Sequence, residues 1–163
     1  MSTDTKNPAE VEDRLWREIE KHHVGMLGTS GSDSLQPMTA FVEMGSRKLW
    51  FFTRKSTDLV QEVGGGRDGV FVFQQDDVQA CITGRLVEDR DTARIEKFWN
   101  PVVAAWQPGG KDDPELTLLC MDPENAEVWV SKSGPARFAW EIARANVTGD
   151  EPDVGGRANL NFH

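Results

Sequence analysis

Nowhere in the 163 residues does an apolar run approach the roughly 20 residues that a membrane-spanning helix needs. The opening stretch, Met1 to Lys6, also lacks a basic start followed by an apolar segment. The expectation is therefore a cytoplasmic protein with no membrane partner. Cysteine is scarce. Cys81 and Cys120 each lie in an apolar segment with no neighbouring cysteine or paired histidine at ligand spacing, so both are expected as reduced core residues and no metal site is expected. The adjacent His22 and His23 have no third partner in sequence. Basic clusters are missing too. A net charge of −9 without a basic stripe excludes nucleic acid as a main partner, because a phosphate backbone is held by clustered positive surface. An anionic small molecule must instead be held by local N–H groups and cations. No G-x-G-x-x-G follows a predicted strand, and no G-x-x-x-x-G-K or G-x-S-x-G is present, which removes the usual dinucleotide, P-loop and hydrolase folds. There is no internal repeat and no tyrosine; the six Trp and eight Phe are read mainly as core or dimer-interface packing.

What is present reads as one domain over residues 1–147 with an extended tail over 148–163. Asn7, Pro8 and Glu10 are start signals for a helix whose apolar face is Val11, Leu15 and Ile19, ending at Lys21-His22-His23. Strands are predicted over 24–29, 35–44, 48–53, 70–74 and 79–88, with one helix over 56–63 and a second opened by Asp89-Arg90-Asp91, with Ile95, Phe98 and Trp99 as its apolar face. Asn100-Pro101 weakens the latter, and 104–114 reads as a long loop. A final hairpin is predicted from 116–121 and 126–131 across Asp122-Pro123-Glu124-Asn125, and a last helix over 135–145 capped by Ser133. Strands in meander order interrupted by short helices specify a mainly β (α+β) fold, a six- to seven-stranded antiparallel split barrel rather than a parallel α/β sheet.

Two segments carry candidate chemistry. Phe52-Thr53-Arg54-Lys55-Ser56-Thr57-Asp58-Leu59 runs from an apolar strand into a helix start rich in hydroxyls and preceded by two cations. Free N–H groups, the dipole's positive end, Thr53, Ser56 and Thr57 as donors and Arg54 or Lys55 as counter-charges make a phosphate cradle. Gln36-Pro37-Met38-Thr39 should lie on the strand paired with the one ending at Thr53, with Gln36 and Met38 toward the same pocket. On local chemistry alone the simpler readings are a capped surface helix and an edge strand blocked by Pro37.

The order of these motifs resembles the pyridoxamine 5'-phosphate oxidase family of FMN-binding split barrels. The similarity runs from about Val11 to Trp129 and is greatest to the general-stress-protein branch, with which the chain shares the loop Trp106-Gln107-Pro108-Gly109-Gly110-Lys111-Asp112-Asp113-Pro114 and the ending Glu127-Val128-Trp129. The resemblance implies a homodimer holding two FMN at the subunit interface. Gln36, Pro37, Met38 and Thr39 would line the flavin and ribityl chain, Phe52 and Thr53 would touch ring and phosphate, and Thr57, Asp58 and Leu59 would occupy the phosphate-binding turn. Gln79 would reach the flavin, Trp129 would come from the second subunit, and Arg137 matches the family's late arginine more weakly. Gln36 stands where the family usually has Arg, and Leu59 where it has Lys; each loss removes a charge-assisted hydrogen bond of about 1.5–3 kcal/mol.

True pyridoxamine 5'-phosphate oxidases carry an Arg-Leu-His segment where this chain reads Gly134-Pro135-Ala136-Arg137-Phe138, so oxidation of pyridoxamine phosphate is not expected. Three functions stay open: a stress-related FMN-dependent oxidoreductase with no protein acid or base demanded, a non-catalytic flavin store or sensor, and a structural dimer that has lost FMN.

Overall fold

The computed structural model describes residues 7–75, 77–131, 135–149 and 155–162, excluding the side chains of 135–139, 141 and 155. Helix α1 (Pro8–His22) begins as its sequence dictates: the Asn7 side chain accepts the Ala9 N–H at 3.1 Å and proline occupies the first turn. It stops at His23, whose φ of 64° turns the chain into β1 (Val24–Thr29). Strands β2 (Gln36–Glu43) and β3 (Lys48–Arg54) follow. Next come α2 (Asp58–Val63), β4 (Arg67–Gln74) and β5 (Val78–Glu88). Two short helices, α3 (Thr92–Phe98) and α4 (Pro101–Trp106), lead into β6 (Leu116–Ser131), α5 (Pro135–Thr148) and β7 (Gly155–Asn161).

All strand pairings are antiparallel, in the order β3-β2-β1-β4-β5-β6-β7, and β3 also pairs with β6. That second pairing closes six strands into a barrel with β7 outside it. Strand β6 makes both arrangements possible. Its first half, Leu116 to Met121, pairs with β3, and its second half, Asn125 to Ser131, pairs with β7. Between them the register against β5 slips at Thr83/Gly84. The segment 122–125 is therefore an irregularity within one long strand, not the turn of a hairpin; a slipped ladder tolerates Pro123, whose missing N–H would break a regular one. The slip also fixes Gly84, where a Cβ would sit 2.3 Å from the Asp122 carbonyl oxygen.

Other departures from expectation have local causes. Helix α2 starts later than predicted because Thr57 is its cap: its hydroxyl accepts from the Val60 N–H at 3.4 Å and donates to the Arg54 carbonyl at 2.9 Å. Asn100-Pro101 does not merely weaken α3. It begins α4, with the Asn100 side chain accepting from the Val103 N–H at 2.9 Å, in part of what reads as loop. The predicted cap Ser133 lies outside the described residues.

Two apolar clusters result from strand alternation. Inside the barrel, Leu27, Phe51, Phe71, Phe73, Ile82 and Leu119 are buried, and α1 adds Leu15, Trp16 and Ile19. Outside it, α3 and α4 cover one sector, where Ile95 and Val103 meet Phe41, Trp50, Leu116, Leu118 and Cys120. Desolvation pushes the Cys120 thiol up to about 12, so it is an inert core group as predicted.

Arg94 holds α3 to β2. Its Nε and Nη2 donate to Glu43 at 2.8 and 3.1 Å, its Nη1 donates to Asp91 at 2.9 Å, and the guanidinium lies 5.2 Å from the Trp50 ring centroid. These Arg94 hydrogen bonds, with one from Ser46, hold the Glu43 carboxyl down to about 2 from 4.5. A depressed carboxylate stabilises the fold above its unfolded pKa and ceases to do so as pH falls toward its folded one. Acid unfolding should therefore steepen between pH 4.5 and 2, and Glu43→Gln should flatten that part of the profile while costing about 1–2 kcal/mol at pH 7, given partial solvent screening. Urea titrations at a series of pH values check this; parallel profiles for the two proteins would refute it.

Candidate functional site

The strand alternation that builds the barrel divides the predicted site residues between two faces. Thr53 and Met38 belong to the inward set: Thr53 is buried and Met38 packs on the interior cluster. Gln36, paired with Leu27, opens that same row but is exposed at the barrel end. Pro37, Thr39, Phe52, Gln79 and Trp129 belong to the outward set, since they alternate with inward neighbours along their strands. Met38 and Thr53 thus fall on one face of the sheet, with Gln36 at its exposed end. Phe52 and Thr53 lie on opposite faces, because adjacent residues of a strand must.

At the inward end, the Thr53 and Thr57 hydroxyl oxygens are 3.4 Å apart, and Thr117, the cross-strand partner of Thr53, is buried with its hydroxyl unpaired. Helix geometry leaves the Asp58 and Leu59 amides without intrahelical acceptors. The side chains contribute less than their types promise. Leu59 is buried in the barrel core, so only its backbone faces outward, and Thr57 is occupied as a cap. Arg54 donates to Asp113 at 3.1 Å, and the Asp113 carboxyl is held below its usual range by the Glu115 N–H and by Arg54. Together with Arg90, which donates to the carbonyls of Leu116 and Asp113, this pair ties the Asp112-Asp113-Pro114 loop to the end of β3. Lys55 and Ser56 are exposed in the turn before α2.

On the outward face the predicted residues are joined by others that sequence reading missed. Gln79 pairs directly with Gln74 on one side and Trp129 on the other, and Trp129 pairs with Arg157 of β7. A parallel row runs Pro37, Met26, Val72, Cys81 and Glu127. Val24, Met26 and Trp129 are 52, 37 and 40% exposed, and among the described residues no helix packs on them as α3 and α4 pack on the neighbouring sector. A cleft of about 330 Å³ opens here, lined by Val72, Gln74, Gln79, Cys81 and Trp129. Cys81 is thus a half-buried surface residue and not the core residue expected; desolvation, then the charge of Glu127, raises its pKa. The signal for this face was the Val-Gly-Met alternation of β1, which reads equally well as a strand buried on both sides.

Arg137 has no described side chain. Among the described residues no three His, Cys, Asp or Glu side chains converge as a metal site; His22 pairs with Glu18, and His23 Nδ1 lies 2.9 Å from the Ala40 carbonyl oxygen.

Comparison with known proteins bears on this geometry. The profile of the family described as "Pyridoxamine 5'-phosphate oxidase like" matches residues 10–153, nearly the whole barrel and its helices. The chain belongs to the pyridoxamine 5'-phosphate oxidase-like family. Among solved structures, a general stress protein 26 from Jannaschia sp. CCS1 is 34% identical with a TM-score of 0.84, over 94% of this chain and 99% of that one. A general stress family protein from Xanthomonas campestris pv. campestris is 39% identical, TM-score 0.71, over 80% and 93% of the two chains. The general stress FMN/FAD binding protein of Xanthomonas citri is 38% identical, TM-score 0.71, over 77% and 92%. No curated protein matches the sequence. The barrel of this pyridoxamine 5'-phosphate oxidase-like chain is closed through β3 and β6.

Proposed function

We propose that this chain binds FMN between two copies of itself and acts as a stress-related, flavin-dependent oxidoreductase of the cytoplasm, with a small-molecule redox partner. The observation that carries the reading is the uncovered outward face, where exposed Val24, Met26 and Trp129 surround Gln79 in a chain 38% identical to an FMN/FAD binding protein. Along the β2-β1-β4-β5-β6 face, Thr39 and Trp129 are four strands apart. In a two-fold dimer a second copy would bring its Trp129 to the first copy's β2 and β3, enclosing a ring system between protomers.

The residues fit the group. The amides of Asp58 and Leu59 with the Thr53 and Ser56 hydroxyls would hold the phosphate, and Lys55, unlike Arg54, is not committed to an acidic partner among the described residues. Thr39 and Phe52 would flank the ribityl and ring, and Gln79 would donate its amide to ring acceptors. FMN supplies the hydride or electron transfer when bound. Exposed apolar side chains buried by the partner would exclude water and strengthen each polar contact. Where true oxidases read Arg-Leu-His, this chain reads Gly134-Pro135-Ala136, and β7 reads Arg157-Ala158-Asn159, so a pyridoxamine phosphate clamp is not expected. A flavin store or sensor is the second reading, favoured by Glu127, the carboxylate of this face, being tied to Arg157 at 2.8 Å and not free as an acid or base.

The purified protein should be yellow, take up one FMN per chain and run as a dimer by light scattering. Colourless protein that leaves FMN fluorescence unquenched would end the proposal. Bleaching of the bound flavin by a nicotinamide donor separates the enzyme from the store.

A further inference from the structure

We propose that Thr117 is a positioning residue for the phosphate end of the site, its buried and unpartnered hydroxyl fixing that of Thr53 toward a phosphate ester, a role that rests on the flavin reading above. Among the described residues three polar side chains are buried, Thr29, Thr53 and Thr117. All three lie at one end of the barrel: β1 and β3, both antiparallel to β2, finish there on Thr29 and Arg54, and β6, antiparallel to β3, starts there at Leu116. The segment 57–62 serves two of them. Thr29 donates to Glu62 at 3.1 Å, and the Thr53 hydroxyl lies 3.4 Å from that of Thr57. Thr117, at 0% exposure, has no partner among the described residues. Its strand is held from both edges, by pairing with β3 on one side and on the other by the Asp89 N–H on the Leu118 carbonyl at 2.9 Å and Arg90 Nε on the Leu116 carbonyl at 2.8 Å. Any partner must therefore come to the hydroxyl.

An orphaned buried hydroxyl is costly and rare in a folded protein, whereas a methyl of the same shape in its place is neutral or favourable. Counting protons shows what Thr117 is placed to do. Thr57 gives its one hydroxyl proton to the Arg54 carbonyl at 2.9 Å, so Thr53 is the donor in the long contact between them. The Thr53 oxygen accepts no hydrogen bond among the described residues, and its directly opposite neighbour on the inward face is Thr117. Opposite positions of an antiparallel pair hold their Cβ atoms about 4.5–5.5 Å apart, a gap that rotation of the two hydroxyls about χ1 closes to a hydrogen bond. When a phosphate oxygen takes the Thr53 proton, Thr117 donates to the Thr53 oxygen, and the two hydroxyls in series polarise toward the anion. Thr117 never touches the ligand. Its burial is relieved only when the phosphate is held, which adds affinity for that group and none for the ring.

The test uses the full chain with FMN and with riboflavin, which keeps the ring and ribityl chain but lacks the phosphate. Wild type should favour FMN. Thr117→Val should weaken FMN about fivefold to tenfold and leave riboflavin unchanged, while the Tm measured without flavin stays level or rises. Thr117→Ser should restore FMN affinity. If Thr117→Val does not fold, Thr117→Ala carries the same comparison through the ratio of the two affinities. An unchanged ratio overturns the assignment, whether neither probe is weakened or both are weakened equally, the latter marking a packing role. A wild type that binds riboflavin as tightly as FMN overturns the assignment together with the phosphate cradle and leaves the flavin reading standing; a wild type that binds neither overturns both.

Discussion

Met26→Asp is expected to give a folded monomer that no longer retains FMN. Met26 points outward from β1 and sits between Pro37 and Val72 in register, near the middle of the uncovered face. A carboxylate there is harmless to the isolated barrel, because the position is 37% exposed. In a two-fold dimer it would be buried twice, and an unpaired charge removed from water costs several kcal/mol. Dimer affinity should fall by at least about a thousandfold, and flavin retention with it, since Trp129 then lacks its opposite wall. Light scattering, far-ultraviolet circular dichroism and flavin titration decide the matter together. A Met26→Asp protein that stays dimeric would show that this face is not the interface, and the two-chain site would fall with it.

Trp16→Ala should be the most damaging single truncation in the core. Trp16 is fully buried, packs against Phe162 at 5.5 Å between centroids, and donates its indole N–H to Glu12 at 3.4 Å. Removing it costs about 3–5 kcal/mol, a large share of a typical domain's 5–15 kcal/mol, and should lower Tm by about 10 °C. The location gives the loss a functional side. Phe162 follows directly on β7, so Trp16 anchors the strand that pairs with the Trp129 end of β6. Partial urea, below the main transition, should then loosen flavin before the barrel unfolds. A loss under about 1 kcal/mol in urea titrations would show that α1 and β7 are not coupled through this contact.

Legibility divided along physical lines. Asn7, Thr57, Asp91 and Asn100 each cap a helix through a hydrogen bond to a residue two or three positions away. Such signals survive in the sequence because both partners are local, although Thr57 was read as helical and Asn100 as a breaker. The β1 limits and the inward placement of Met38 with Thr53 were equally accessible, since period-2 alternation needs no knowledge of the partner strand. The availability of the proposed cradle residues was not legible: Arg54 is held by Asp113, 59 positions away, and Leu59 is held by the core.

Order and spacing of local motifs were enough to determine the barrel class, the family resemblance and the segment after Phe52 as the candidate phosphate turn. The tertiary structure alone decided that β6 is one strand serving two neighbours, that residues 155–161 complete the sheet, and that Trp129, Gln79 and Arg157 stand in line. The reason is that register between distant strands is set by how many side chains fit inside the closed barrel, a sum over all strands that no single segment encodes.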